Sequence, residues 1–233
     1  MNLSKEKLVE IFRQVQECFV SGRLAMADSL LEPLAKNVDE LEVEDGDKFA
    51  ILYNYFENAW KLRGDVRDFP FAEKAAEYAQ LHDKCVIYQR LTGYSIQKED
   101  LDIATRYLEL CEKYARDENL QIDIYRTKGV LLFRKRQLDE AREALYKALT
   151  EAEAKNQRVQ CCYINMYLAD VYKEMGKHEL AFNYLATAEQ VACECHNIDL
   201  LYKCTIREAK MLYSLGRDAD AKKMIESTPL HMD

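Results

Sequence analysis

The chain has 233 residues, 48% of them apolar and 32% charged, with only 7 glycines and 3 prolines. So few turn-formers exclude an all-β fold and point to helices joined by short loops. A net charge of -8, from 33 Lys and Arg against 41 Asp and Glu, weighs against nucleic acid and anionic membrane as partners.

Taken in chain order, the first helical pair is announced by GRLAMADSLLEPL, where Gly22 is followed by Ala27, Leu31 and Leu34. A second pair comes from FAILYNYFENAWKLR and FAEKAAEYAQ, with Gly64 as a stop signal and Pro70 as a start signal between them. Phe71 to Leu91 contains no obvious breaker, so one long helix and two shorter ones both fit that stretch. LDIATRYLELC continues the pattern with Ala104, Leu108 and Cys111. From Gln121 onward a period emerges: Ala141, Ala181 and Ala221 lie forty residues apart, each followed four positions later by Leu145, Leu185 or Ile225. Twelve positions before each alanine stands another small residue, Gly129, Ala169 or Ala209. The expected count is about six helix pairs, since repeats of this length build one hairpin each.

The turn glycines explain how such a hairpin closes. Gly176 can adopt the left-handed conformation that ends a helix without steric cost, and the small residues then let the two antiparallel helices approach closely. No hairpin of this kind hides its apolar face alone, so neighbours must stack.

With Leu168, Ala169 and Tyr172 before the turn and Ala181, Leu185 and Ala188 after it, the pattern resembles the tetratricopeptide repeat family. It departs from the usual thirty-four-residue period, has Arg136 in place of a turn glycine, and carries Lys128 and Glu208 at positions normally apolar. The resemblance implies an all-α, right-handed α-solenoid. A single domain over 1–233 is expected, with repeats clearest in 121–225 and divergent helix pairs in 1–118. It also implies a concave groove lined by the first helix of each pair. At those positions stand Arg126, then Tyr163 and Tyr167, then Lys203, Arg207 and Lys210, with Arg90 joining from an earlier unit. Basic and aromatic residues thus interleave in an otherwise acidic protein, a composition suited to carboxylates on a protein or peptide partner. Lys203 and Arg207 match two basic positions of the carboxylate clamp in co-chaperones of this family, whereas Val130 and Tyr167 stand where that clamp has asparagines. The bland alternative is that these cations pair with Asp123, Asp170 or Glu208 along the same surface.

Nothing in the sequence points to catalysis: His82, His178, His196 and His231 are scattered, phosphate-binding glycine loops are absent, and no carboxylate pair is singled out. Six sulfur and imidazole groups, Cys161, Cys162, Cys193, Cys195, His196 and Cys204, fall at one edge of the expected stack, but without a CxxC pair. Reduced, buried thiols without a metal or cofactor are the expectation. No apolar run reaches the roughly 18–20 residues of a membrane span, and MNLSKEKLVE lacks the core of a secretion signal, so a cytoplasmic location follows. The function read from these features is a non-enzymatic scaffold for a protein or peptide segment. The alternative is a peptide-sensing regulator similar to bacterial pheromone receptors but lacking their DNA-binding domain. The last helix, near Met224 and Ile225, is short, which leaves a C-terminal face suited to a homodimer.

Overall fold

The structure, a computed structural model, describes residues 4–115 and 119–227. Among these residues are twelve α-helices and no strand. The chain divides into two compact units, Met1–Arg116 and Asp117–Asp233. The first unit contains α1 (Lys5–Val20), α2 (Leu24–Lys36), α3 (Asp45–Arg63), α4 (Phe69–Tyr78), α5 (Leu81–Gln97) and α6 (Leu101–Tyr114). The second contains α7 (Asn119–Arg134), α8 (Leu138–Ala154), α9 (Arg158–Glu174), α10 (His178–Glu194), α11 (Ile198–Ser214) and α12 (Asp218–Ser227). In each unit consecutive helices pack on one another, hairpin upon hairpin. His231 and Asp233 lie outside the described residues.

The second unit is built on a half-period. Residues in the left-handed conformation occur at Arg136, Asn156, Gly176, His196 and Gly216, twenty apart, and α8, α9, α10 and α11 are each 17 residues long. At each of these turns the amide after the left-handed residue donates to the carbonyl five positions back, as Lys177 does to Tyr172 at 2.9 Å and Gln157 to Ala152 at 2.8 Å. This closes the orphaned carbonyls of the helix end with one short loop. Turns within hairpins and turns between hairpins therefore share one geometry.

Five residues after the turn the chain returns to the preceding helix, and the side chain there is small and buried. Gly22, Glu99, Arg136, Gly176 and Gly216 have φ between 62 and 74°, and Ala27, Ala104, Ala141, Ala181 and Ala221 follow them, all 0% exposed. The approach is tightest at Gly129, where an added Cβ would lie 2.5 Å from Leu145 Cγ and 3.3 Å from the Ala141 carbonyl. Glycine is required there for space and not for backbone angle. Leu145 and Leu185 are buried as their spacing predicts, whereas Ile225, their counterpart in the last hairpin, is 47% exposed.

The first unit departs from this rule at one hairpin. After Gly64, a 3-10 turn (Val66–Asp68) intervenes, and the fifth position holds Phe69. Its ring lies 6.1 Å from Phe56, 5.7 Å from Trp60 and 6.0 Å from Tyr107, so an aromatic cluster fills the wider space. The hairpin is tied from outside by Arg63, which donates to Asp28 at 2.7 Å and to both Asp68 oxygens at 3.2 and 3.3 Å. Those carboxylates hold the Arg63 guanidinium above its ordinary pKa, with Asp68 the larger influence. Phe71–Leu91 is two helices, broken at Ala79 and Gln80, whose extended backbone (ψ 153 and 168°) starts α5 as a first helix in its own right.

Candidate functional site

In the second unit α9 packs against α7 on one side and α11 on the other, so these first helices form one row. Of the residues expected to line it, Tyr163, Tyr167, Lys203 and Arg207 meet there. Between α9 and α11, Lys203 donates to the Tyr163 hydroxyl at 3.1 Å and sits over that ring at 5.2 Å. One turn along, Arg207 lies over the Tyr167 ring at 5.7 Å, donates to Asp170 at 3.2 Å and touches the Met166 sulfur at 3.5 Å. Between α7 and α9, Arg126 donates to Asp123 at 2.8 Å, and Gln160 donates to the same oxygen at 3.2 Å. Lys210 is exposed on α11. Arg90, on α5, belongs to the first unit and is described there.

The ladder repeats because the helices do. Asp123 to Gln160 and Asp170 to Arg207 are each 37 residues apart, and Tyr163 to Lys203 and Tyr167 to Arg207 are each 40. Each is one step of the array, which carries a residue to the equivalent face of the next first helix. Two of the expected cations are thus neutralised within the protein, as the pairing alternative anticipates: Arg126 by Asp123 and Arg207 by Asp170. Both pairs are partly buried, with side chains 23 to 32% exposed, so solvent screens them only in part.

Asp170 is the electrostatic centre of the row. Burial pushes its carboxyl above the ordinary carboxylate range, while Arg207, Lys173 and Arg134 pull it back. Of the three, Arg207 is the one in direct contact with the carboxylate, at 3.2 Å. At the α7 end, Arg126 Nε and Gln160 Oε1 are buried without a partner among the described residues. Such orphans each cost about 1–3 kcal/mol, so this wall is not optimised for its own stability.

The first unit carries a comparable face that the sequence reading touched only at Arg90. Tyr53, Glu57 and Trp60 recur on α3 at helical-turn spacing, opposite Arg90 and Tyr94 of α5. The Tyr94 hydroxyl donates to the Glu57 carboxylate at 3.2 Å, and its ring stacks on Trp60 with centroids 4.1 Å apart. Lys98 lies over Trp60 at 5.5 Å. Burial lowers the Arg90 pKa, but Glu57, Tyr53 and Tyr94 more than offset it, and the net direction is upward. The 3.6-residue recurrence of Tyr53, Glu57 and Trp60 was the signal available for this face.

The cysteines fall into two contacts and a remainder. Cys85 and Cys111 meet at 3.0 Å in the first unit, both buried. In the second unit Cys162 donates to the Ala188 carbonyl at 3.2 Å and neighbours Cys204. That contact, with Arg207 and Lys203 nearby, lowers the Cys162 pKa despite burial, and raises that of Cys204. Cys193 is exposed, and Cys161 and Cys195 are half-buried. Among the described residues no group of three or more His, Cys, Asp or Glu is placed to hold a metal ion. Nor is any helix among them long and apolar enough to cross a membrane.

No family model matches the sequence, and no curated protein matches it. Solved structures do match the fold. The apo form of RapI is similar over 94% of this chain and 99% of its own, at 13% identity and a TM-score of 0.71. A Rap protein complexed with Competence and Sporulation Factor is similar over 97% of this chain, at 12% identity and a TM-score of 0.65, and this chain spans 65% of its length. A signal transduction ATPase with numerous domains and a tetratricopeptide repeat sensor, from Pyrococcus horikoshii, is similar over 94% of this chain and 36% of its own, at 18% identity and a TM-score of 0.62. The chain therefore has a tetratricopeptide-repeat-like helical fold.

Proposed function

We propose that the protein is a non-catalytic, cytoplasmic interaction module that holds a carboxylate-bearing protein or peptide segment against the row formed by α7, α9 and α11. The observation that carries this reading is the rung of Lys203 on Tyr163 and Arg207 on Tyr167, with Asp170 already bound to the guanidinium. Asp170, an internal carboxylate held by Arg207, supports a carboxylate as the row's occupant, and Lys203 beside it leaves attraction for a second one. The tyrosine rings supply flat contact area at low entropic cost, and the lysine and arginine direct an acidic chain across them. Fold likeness to a Rap protein bound to Competence and Sporulation Factor supports a peptide-sized occupant, which gives the sensing alternative its own observation.

The test uses arrayed peptides with acidic side chains, or with free or amidated C-termini, against the whole protein. The tightest binder is then titrated against Lys203→Ala/Arg207→Ala. Loss of at least tenfold in affinity, shrinking as salt is raised, is the expected result. A folded double variant with unchanged affinity overturns the site. Mass spectrometry of co-purified material separates the two readings: a short free peptide favours the sensor, a large protein the scaffold.

A further inference from the structure

The hairpin of α5 and α6 is closed at one end by the left-handed turn at Glu99, where the Asp100 amide donates to the Ser95 carbonyl at 3.0 Å. At its other end, where α5 begins and α6 finishes, two thiols face each other. Cys85 is the fifth residue of α5 and Cys111 the fourth from the end of α6, and their Sγ atoms meet at 3.0 Å. The Cys111 Sγ also donates to the Cys85 carbonyl at 3.3 Å, so one side chain lies against both the thiol and the backbone of the other residue. Cys85 is 1% exposed and Cys111 0%. A disulfide holds its sulfurs about 2.05 Å apart, so joining this pair asks for roughly 1 Å of movement.

Burial shields these thiols from large reagents, but helix termini open locally at far lower free energy than the whole fold, and both cysteines lie close to one. A small oxidant enters through such openings. The neighbouring thiol then decides the product, because a sulfenic acid formed beside a second thiol condenses to a disulfide instead of advancing to sulfinic acid. We propose that Cys85 and Cys111 are a reversible modification site whose co-substrate is a hydroperoxide and whose product is a disulfide tying α5 to α6. In the first step one sulfur attacks a peroxide oxygen, the O–O bond breaks, a sulfenic acid forms and the other oxygen leaves as water or alcohol. In the second step the remaining thiol attacks that sulfur, the S–S bond forms, and the hydroxyl leaves as water with the thiol's proton. The thiols are oxidised and the peroxide is reduced, and a dithiol reverses the bond by exchange. In a reducing compartment such bonds are transient and report oxidant. The hairpin is then shut at both ends, and α5, which carries Arg90 and Tyr94, is fixed against α6. None of this rests on the reading of α7, α9 and α11.

The test treats the whole, reduced protein with hydrogen peroxide under native conditions, alkylates it and digests it with trypsin without reductant. The expected product is CVIYQR, residues 85–90, joined to YLELCEK, residues 107–113, lighter by the hydrogens removed and lost on adding dithiothreitol. Amide exchange in α5 and α6 should slow about tenfold in the linked protein, while α9 and α11 exchange as before. Cys162→Ala/Cys204→Ala should leave the yield of linked peptide unchanged. Cys85→Ser and Cys111→Ser, each checked for fold by circular dichroism, should abolish it and accumulate sulfinic acid on the cysteine that remains. The proposal is overturned if the linked peptide forms only in urea or not at all, if oxidation is confined to the exposed Cys193, or if wild-type Cys85 and Cys111 reach sulfinic acid without linking. A linked protein whose α5 and α6 exchange at the old rate would overturn it equally.

Discussion

The two units solve one packing problem with different side chains. In the second, four central helices of equal length are brought together by small residues, and the core is a series of alanines, among them Ala141, Ala148, Ala181, Ala188 and Ala192, all 0% exposed. In the first, helices run from 10 to 19 residues, and the core is aromatic around Tyr55, Phe56, Phe69 and Tyr107. It also buries Asn58, Asp68, Thr92 and Ser95. Small residues demand a regular spacing because close approach leaves no slack. Large rings tolerate an irregular spacing because they fill whatever gap the crossing leaves. Regularity in the second unit is thus enforced by sterics, and irregularity in the first is absorbed by ring volume.

Truncating a ring should break the comparison most sharply. Phe56→Ala is expected to cost about 3–5 kcal/mol, since Phe56 is fully buried and its partners Phe69 and Tyr94 cannot close the void. Urea denaturation gives the size, and hydrogen exchange read helix by helix should place the loss in α3 to α6. The opposite change tests the second unit. Gly129→Ala should cost about 1–3 kcal/mol by overpacking against Leu145, although alanine gains roughly 1 kcal/mol of helix propensity over glycine. A neutral or stabilising result, read from the thermal midpoint, would show that the alanine columns have slack after all. The smallest effect is a gain. Arg136→Gly should stabilise by about 0.5–1 kcal/mol, because a left-handed arginine costs about 1–2 kcal/mol, partly offset by the flexibility of glycine. Its exposed ion pair with Glu174 contributes little.

Much of this architecture was legible from residue spacing. The alanines at forty-residue intervals, the turn at Gly176 and the helix break at Gly64 each rest on a local steric rule that one sequence displays. The half-period was not legible, because Asn156 and His196 adopt the turn conformation without being glycine, at φ 52 and 49°. Asparagine tolerates that region, but histidine there gives no signal to read. The helix break at Ala79 and Gln80 was hidden for the same reason, as neither residue disfavours helix strongly. At the site, the periodic placement of Lys203, Arg207, Tyr163 and Tyr167 was visible, and so were Asp123 and Asp170 as pairing candidates. Which cation met which carboxylate depended on the lateral offset of adjacent first helices, a tertiary quantity.

The shared geometry of the turns has a practical meaning. Asn156 and His196 stand at equivalent points of the chain with nearly the same backbone angle, and each is followed by a residue that opens a 17-residue helix. Excising or duplicating one forty-residue block between them joins like to like, so every alanine downstream keeps its opposite number. The second unit is in this sense a ruler with movable marks: its length changes by whole steps, without new loops or a redesigned interior.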